Sequence, residues 1–156
     1  MATPFSTKTM ARPTFAAPPP RLLVVLSPYY RDVADMLLAG AQAEITAAQA
    51  HHQIAQVPGA LEIPTAIALA ERAAPYDGYV ALGCVIRGAT THYETVCNDS
   101  SRALQLLGLQ GVCIGNGILT VENQAQALER ADPAQHNKGG AAAAAALHLI
   151  ALARKW

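Results

Sequence analysis

Two rhythms alternate along the chain from Arg21 onward. Short apolar runs predict buried strands at Leu22–Ser27 and Gly78–Ile86. Two further strands are expected at His52–Val57, closed by Pro58-Gly59, and at the glycine-rich Gly111–Leu119. Between them, apolar residues recur at helical spacing. Asp32–Gln49 places Val33, Met36, Leu37, Ala41, Ile45 and Ala48 on one face, and Tyr93–Leu107 does the same with Tyr93, Val96, Cys97, Ser100, Leu104 and Leu107. Glu62–Ala74 predicts a helix with Pro64 in its first turn, where proline is tolerated. Asn123–Arg130 predicts a short helix and Gly140–Arg154 a longer one.

Strands that alternate with helices imply parallel pairing through right-handed crossovers. The expected architecture is α/β: a three-layer sandwich around a four-stranded parallel sheet with flavodoxin-like winding. Ligands of such sheets bind outside the carboxyl ends of the strands. The segments that follow Ser27, Val57 and Ile86, and those around Leu119, are therefore where chemistry is expected.

Composition sharpens this picture. A chain of 156 residues is the length of one domain. Charged residues are 14% of it, against roughly 25% in an ordinary domain. Hydrophobic residues are 52%, and 33 positions are alanine. So few charges point to surface buried between subunits. Basic and acidic residues are 11 each, so no excess of positive charge is present to neutralise a nucleic-acid backbone. Cys84, Cys97 and Cys113 are odd in number and form no CxxC pair, which reads as reduced thiols in a reducing compartment such as the cytoplasm. No run is apolar enough for a membrane span. Residues 1–20 contain five of the ten prolines and no acidic residue, and are expected to be a disordered arm ahead of a domain at 21–156. That arm lacks the apolar core of a secretory signal; with two basic residues it is also a weak match to a transit peptide.

The four segments carry most of the unusual residues. Tyr29 follows the first strand, where it either stacks on a planar ligand or packs on the rim. After the second strand, Gly59 permits close backbone approach and Glu62 opens a helix. Its carboxylate suits the helix dipole, and it equally suits ligand hydroxyls. Arg87-Gly88-Ala89-Thr90-Thr91-His92 follows the third strand. This stretch leads into a helix start, whose amides lack helical partners and favour a phosphate. His92 sits in the first turn, where the helix field favours the neutral imidazole that a proton shuttle needs. A threonine cap beside a surface histidine is the plainer alternative. Arg130 either completes an anion site as a bidentate donor or answers a helix C-terminus, and Lys138 is open in the same way.

Three stretches in order carry a resemblance: Gly59-Ala60-Leu61-Glu62-Ile63-Pro64, Leu82-Gly83-Cys84-Val85-Ile86-Arg87-Gly88-Ala89-Thr90-Thr91-His92-Tyr93-Glu94, and Asn116-Gly117-Ile118-Leu119-Thr120-Val121-Glu122-Asn123. Glu129-Arg130-Ala131 and Asn137-Lys138-Gly139 follow. Over residues 21–156 the chain resembles the lumazine synthase family, whose members act in riboflavin biosynthesis. The resemblance implies a transferase that condenses 5-amino-6-(D-ribitylamino)uracil with 3,4-dihydroxy-2-butanone 4-phosphate to 6,7-dimethyl-8-ribityllumazine, with release of phosphate and water. It implies no metal and no organic cofactor. It places the phosphate on Gly88, Ala89 and Thr90 with Arg130 as clamp, and makes His92 the proton shuttle. Tyr29 would stack on the pyrimidine, and Ala60, Leu61 and Glu62 would hold its ribityl side. Cys84, Val85 and Ile86 would supply backbone contacts.

In the family the site lies between neighbouring subunits of a homopentamer, so Asn116, Arg130 and Lys138 would come from the neighbour. Asp132-Pro133-Ala134-Gln135-His136 departs from the glycines and lysine of members that build sixty-subunit shells, so a free pentamer is expected here. Asn116 stands where many members carry an aromatic, and Cys84 replaces a common threonine. Two other readings remain beside the enzyme: a module that binds flavin or lumazine without catalysis, and an assembly protein with a vestigial site. Product formation separates the first from the enzyme, and intact Glu62, His92 and Arg130 argue against the second.

Overall fold

A computed structural model describes residues 10–156. The elements run β1 (Arg21–Leu26), α1 (Arg31–Ala47), β2 (His51–Gln56), α2 (Glu62–Ala73), β3 (Gly78–Ile86), α3 (His92–Leu109), β4 (Ile114–Val121), α4 (Gln124–Ala131) and α5 (Lys138–Ala153). The four strands form one sheet in the order β2-β1-β3-β4, and every pairing is parallel. This is the expected three-layer α/β architecture with its winding.

Alternation along the central strands explains the layers. Leu22, Val24, Leu26, Val80 and Leu82 face α1, α4 and α5, where they meet Val33, Leu37, Leu147 and Ile150. Leu23, Val25, Tyr79 and Ala81 face the other way, onto Ile63 and Ile67 of α2 and Leu104 of α3. Tyr79 is fully buried, and its hydroxyl donates to Glu71 Oε1 at 2.7 Å. The alanines of α5 serve close packing against the sheet. A Cβ on Gly115 of β4 would lie 1.8 Å from the Ala142 carbonyl oxygen, so the backbones nearly touch there. Gly139 approaches α1 as closely, with its would-be Cβ 2.0 Å from the Leu37 oxygen.

The largest departure from the expected boundaries is β4, which occupies Ile114–Val121 instead of Gly111–Leu119. Gly111 has φ +91° and closes the turn after α3. At the other end Thr120 and Val121 still pair with Val85 and Ile86. Helix starts shift for capping reasons. Asn123 stands outside α4 and accepts from Gln126 N, while Asn137 caps α5 from φ 48° by accepting from Gly140 N. α5 therefore starts at Lys138, two residues before the Gly140 of the expected range.

Residues 1–9 of the expected arm lie outside the described residues. From Met10 to Pro20 the chain forms no helix or strand, yet it lies along the domain. Arg12 pairs with Glu44 of α1 at 2.9 Å, and Phe15 packs on the α1–α5 side of the core. Arg154 donates to the carbonyls of Ala16 and Pro18 and sits 5.4 Å from the Phe15 ring centre. Among the described residues no helix is long and apolar enough to cross a membrane.

Candidate active site

The site begins with a difference in strand length. The ladder between β1 and β3 ends at Leu26↔Leu82, and Ser27 N donates to the Leu82 oxygen. The ladder between β3 and β4 continues to Ile86↔Val121. Four residues of β3 thus run past β1 with one side unpaired. Parallel ladders alternate the direction of their backbone groups. Tyr79 and Arg87 donate toward β4, and Leu82 accepts from the β1 side. Cys84 and Ile86 share the phase of Leu82, so their N–H and C=O groups turn toward the side where β1 has ended. Val85 has the opposite phase and is engaged with β4.

A cleft of about 350 Å³ opens at this step. Cys84, Val85 and Ile86 form its floor, with Ala60, Leu61 and Glu62 along one wall. Tyr29 stands at the mouth with 73% of its surface exposed, braced edge-on by Tyr30 at 5.0 Å between ring centres. Its flat face is free for a planar guest. Glu62 is the first residue of α2, placed there by the turn in which its N–H donates to the Gly59 oxygen. The Cys84 thiol lies deep, and burial pushes its pKa up to about 11, so it is an uncharged wall of the cleft.

Gly88, Thr90 and His92 complete the same cleft. The turn from β3 into α3 leaves the amides of Gly88, Ala89, Thr90 and Thr91 without a protein acceptor among the described residues. A Cβ at Gly88 would meet nothing within 4 Å, so an anion can reach the backbone there. Thr90 Oγ1 accepts from His92 N at 3.3 Å, which places the imidazole at the first position of α3 beside those amides. Consecutive free amides at a helix N-terminus attract a phosphate. Ala89 is exposed within the turn but does not line the cleft.

Asn116, Arg130 and Lys138 lie elsewhere in the same chain. They line a second cleft of about 400 Å³ between β4, α4 and α5. Arg130 donates to the Gln126 carbonyl at 3.3 Å and lies 3.9 Å from Glu129 Oε2. Asn116 sits on the outer edge strand, where its Oδ1 accepts from Ile118 N at 3.0 Å. One chain therefore holds a cleft with the anion turn, Glu62 and His92, and a separate cleft with the guanidinium and the ammonium.

Arg87 is the member of the loop to which residue chemistry alone gave no role. Its guanidinium donates to Glu94 at 2.5 Å and to Glu122 at 2.8 Å, and it lies 4.3 Å above the Tyr93 ring centre. These hydrogen bonds push the Arg87 pKa up, and the Arg87 bond holds the Glu94 carboxyl below its usual range. The sequence signal was an arginine seven residues before a glutamate, with Glu122 distant along the chain and joined to it only through the β3–β4 pairing.

A turn of free amides, an imidazole beside it and a slot open to a flat partner, all at the carboxyl ends of a parallel sheet, stand where α/β enzymes bind their ligands. Among the described residues no three His, Cys, Asp or Glu side chains converge as a metal site. Residues 19–154 match the family described as 6,7-dimethyl-8-ribityllumazine synthase. A relative of that name from Jannaschia sp. is 56% identical over 138 residues, 88% of this chain and 78% of its own. One from Novosphingobium aromaticivorans is 55% identical over 136 residues, 87% of this chain and 98% of its own. A third, from Methylobacterium radiotolerans, is 57% identical over 135 residues, 86% of this chain and 82% of its own. The chain belongs to the 6,7-dimethyl-8-ribityllumazine synthase family.

Proposed function

We propose that the protein condenses 5-amino-6-(D-ribitylamino)uracil with 3,4-dihydroxy-2-butanone 4-phosphate, giving 6,7-dimethyl-8-ribityllumazine, phosphate and water. The observation that carries this reading is the turn Gly88–Thr91. Gly88 and Thr90 of this turn of free amides line, together with His92, the same cleft as the unpaired backbone of Cys84 and Ile86. The two halves of that cleft suit the two substrates. The phosphate takes the amides of Gly88, Ala89 and Thr90. The pyrimidine edge takes Cys84 and Ile86, its face lies on Tyr29, and Val85 fills the floor. Ala60 and Leu61 flank the ribityl chain, whose hydroxyls donate to Glu62.

The chemistry follows from that placement. The pyrimidine amine attacks the ketone carbon, and loss of water leaves a Schiff base. Removal of a proton from the hydroxyl-bearing carbon expels the neighbouring phosphate. The remaining amine then closes the ring with loss of a second water. His92 takes and returns protons in these steps, a task that needs an imidazole within one hydrogen bond of the reacting atoms. Both substrates are intrinsically reactive, so orientation supplies much of the gain.

Phosphate also needs a counter-charge, and the first cleft contains none. Arg130, Lys138 and Asn116 line the second cleft, beside the edge strand β4. We infer that the working enzyme is a ring, a homopentamer, in which the second cleft of one copy closes the first cleft of the next. The low charge fraction and the exposed Leu106, Leu109 and Trp156 fit such burial. Free thiols at Cys84, Cys97 and Cys113 fit work in the cytoplasm. The test is to mix purified protein with both substrates and follow lumazine formation by absorbance against the spontaneous background. Clear acceleration is expected. A folded, assembled protein that gives no acceleration but binds lumazine tightly would replace the enzyme by a binding module.

A further inference from the structure

We propose that Arg87 is a positioning residue that aims the anion turn Gly88–Thr91, resting on the reading of that turn as the phosphate site. Arg87 lines neither cleft, and its guanidinium is engaged by two carboxylates instead. Its contacts converge on the base of the turn. The backbone N–H of Arg87 donates to Val121 O at 2.9 Å, which fixes the last rung of β3 to β4. Its guanidinium then binds Glu122, just past β4, and Glu94, in the first turn of α3. The same plane lies over Tyr93, also in that first turn and itself part of the cleft wall.

Both ends of the turn are thus held by one side chain, while the turn itself has little else. Within residues 88–91 the internal bonds are Thr90 Oγ1 to His92 N and the Thr91 carbonyl to Glu94 N and Thr95 N. Both carboxylates are about half exposed, at 49% and 55% for the Glu94 and Glu122 side chains. Ion pairs so open to water contribute little to stability. A merely structural role is therefore a poor account of three side chains gathered on one arginine. Their geometry instead sets where the amides and the His92 ring point. It also keeps the Arg87 charge satisfied, so the guanidinium does not fold over the turn and meet the phosphate itself.

A guanidinium is needed for this arrangement. A planar fork can reach two carboxylates and still lie flat on a ring, which an ammonium cannot do. Glu122 is the cleanest partner to perturb, because it lies outside both clefts and, unlike Glu94, outside the helix that begins at His92.

The experiment compares wild type with Arg87→Lys, Arg87→Ala and Glu122→Gln, with folding checked by circular dichroism and assembly by size-exclusion chromatography. Initial rates are measured with each substrate varied, and inorganic phosphate affinity is measured separately by titration calorimetry. In Arg87→Ala, KM for the phosphorylated ketone and Kd for inorganic phosphate should both rise about tenfold, below the ~100-fold that a full 1 Å misplacement can cause. KM for the pyrimidine should stay within about twofold, since Cys84 and Ile86 are held by β3 independently. Arg87→Lys and Glu122→Gln should show the same split at smaller size. Should Arg87→Ala fail to fold, these two variants carry the decision. Equal effects on both substrates, or phosphate affinity unchanged in every folded variant, overturn the assignment. Wild type that binds phosphate but forms no product would sink the reaction reading, while the calorimetric comparison would still decide the role of Arg87.

Discussion

Gly115→Ala tests the packing that builds the second cleft. The added Cβ would stand 1.8 Å from the Ala142 oxygen, 2.7 Å from its carbonyl carbon and 3.2 Å from Ala146 N. All three are backbone atoms, so no side chain can rotate away. An ordinary contact begins near 3.4 Å, and 3.4 − 1.8 asks α5 and β4 to part by about 1.6 Å. Overpacking of this kind costs about 1–3 kcal/mol, and this case belongs at the upper end. Alanine also restricts the unfolded chain, which returns about 0.4–1 kcal/mol. The net loss is roughly 2 kcal/mol, or a Tm lower by about 4–8 °C for a domain of this size. Function should fall further than stability. Lys138 opens α5, and Ala141, Ala142 and Asn116 line the same cleft, so moving the helix moves the wall. A displacement above 1 Å predicts at least a tenfold loss of rate, about, in a protein still folded at the assay temperature. The assays are thermal unfolding by circular dichroism at fixed subunit concentration and initial rates of lumazine formation. Gly108→Ala is the control: its Cβ meets nothing within 4 Å inside α3, so Tm should rise by about 1–3 °C. A Gly115→Ala protein with wild-type Tm and rate would refute the packing argument.

Further outcomes are expected. His92→Ala should lower turnover roughly 100-fold, near the lower end of what positioned proton transfer supplies, with chromatographic assembly unchanged. Retained turnover would remove His92 from the mechanism. Arg130→Ala should raise KM for the phosphorylated ketone about tenfold or more and leave the pyrimidine alone, if Arg130 is the proposed charge-assisted clamp. An effect confined to the pyrimidine would contradict the clamp. The Cys84 thiol, raised to about 11 by burial, should resist alkylation at neutral pH while the protein is folded. Because its folded pKa lies above the unfolded value of 9.0, its contribution to stability is complete below pH 9 and is lost between about 9 and 11. Denaturant midpoints of wild type and Cys84→Ser across that range would show whether the slope belongs to this thiol.

The layering was legible in the sequence because β1 and β3 are buried on both faces and the helices carry an apolar stripe. Gly78–Ile86 was placed to the residue for that reason. The start of β4 was missed because glycines and small apolar residues fit a turn and a strand alike, and only φ +91° at Gly111 assigns it to the turn. The pattern starts the last two helices at Asn123 and Gly140, whereas capping by Asn123 and Asn137 starts them at Gln124 and Lys138. The candidate site was legible residue by residue through the motifs. Its division into two clefts followed only from the family resemblance, which assigns Asn116, Arg130 and Lys138 to the neighbour; residue spacing by itself carries no information on which part of a sheet a residue reaches. The Arg87–Glu122 contact was hidden for the same reason.

β3 outlasting β1 has a consequence for how this protein changes over generations. On the proposed reading the substrate is held by peptide groups, which are indifferent to the side chain attached to them, so Cys84 would be free to drift among residues of similar bulk without altering what is recognised. Point substitution is then a blunt instrument for changing the heterocycle preference. An insertion that lengthened β1 by two residues would zip the bare edge of β3 into the ladder, and the pocket would be lost to the sheet. On that reading, recognition and its loss would be governed by where one strand stops, a property that residue identities alone do not carry.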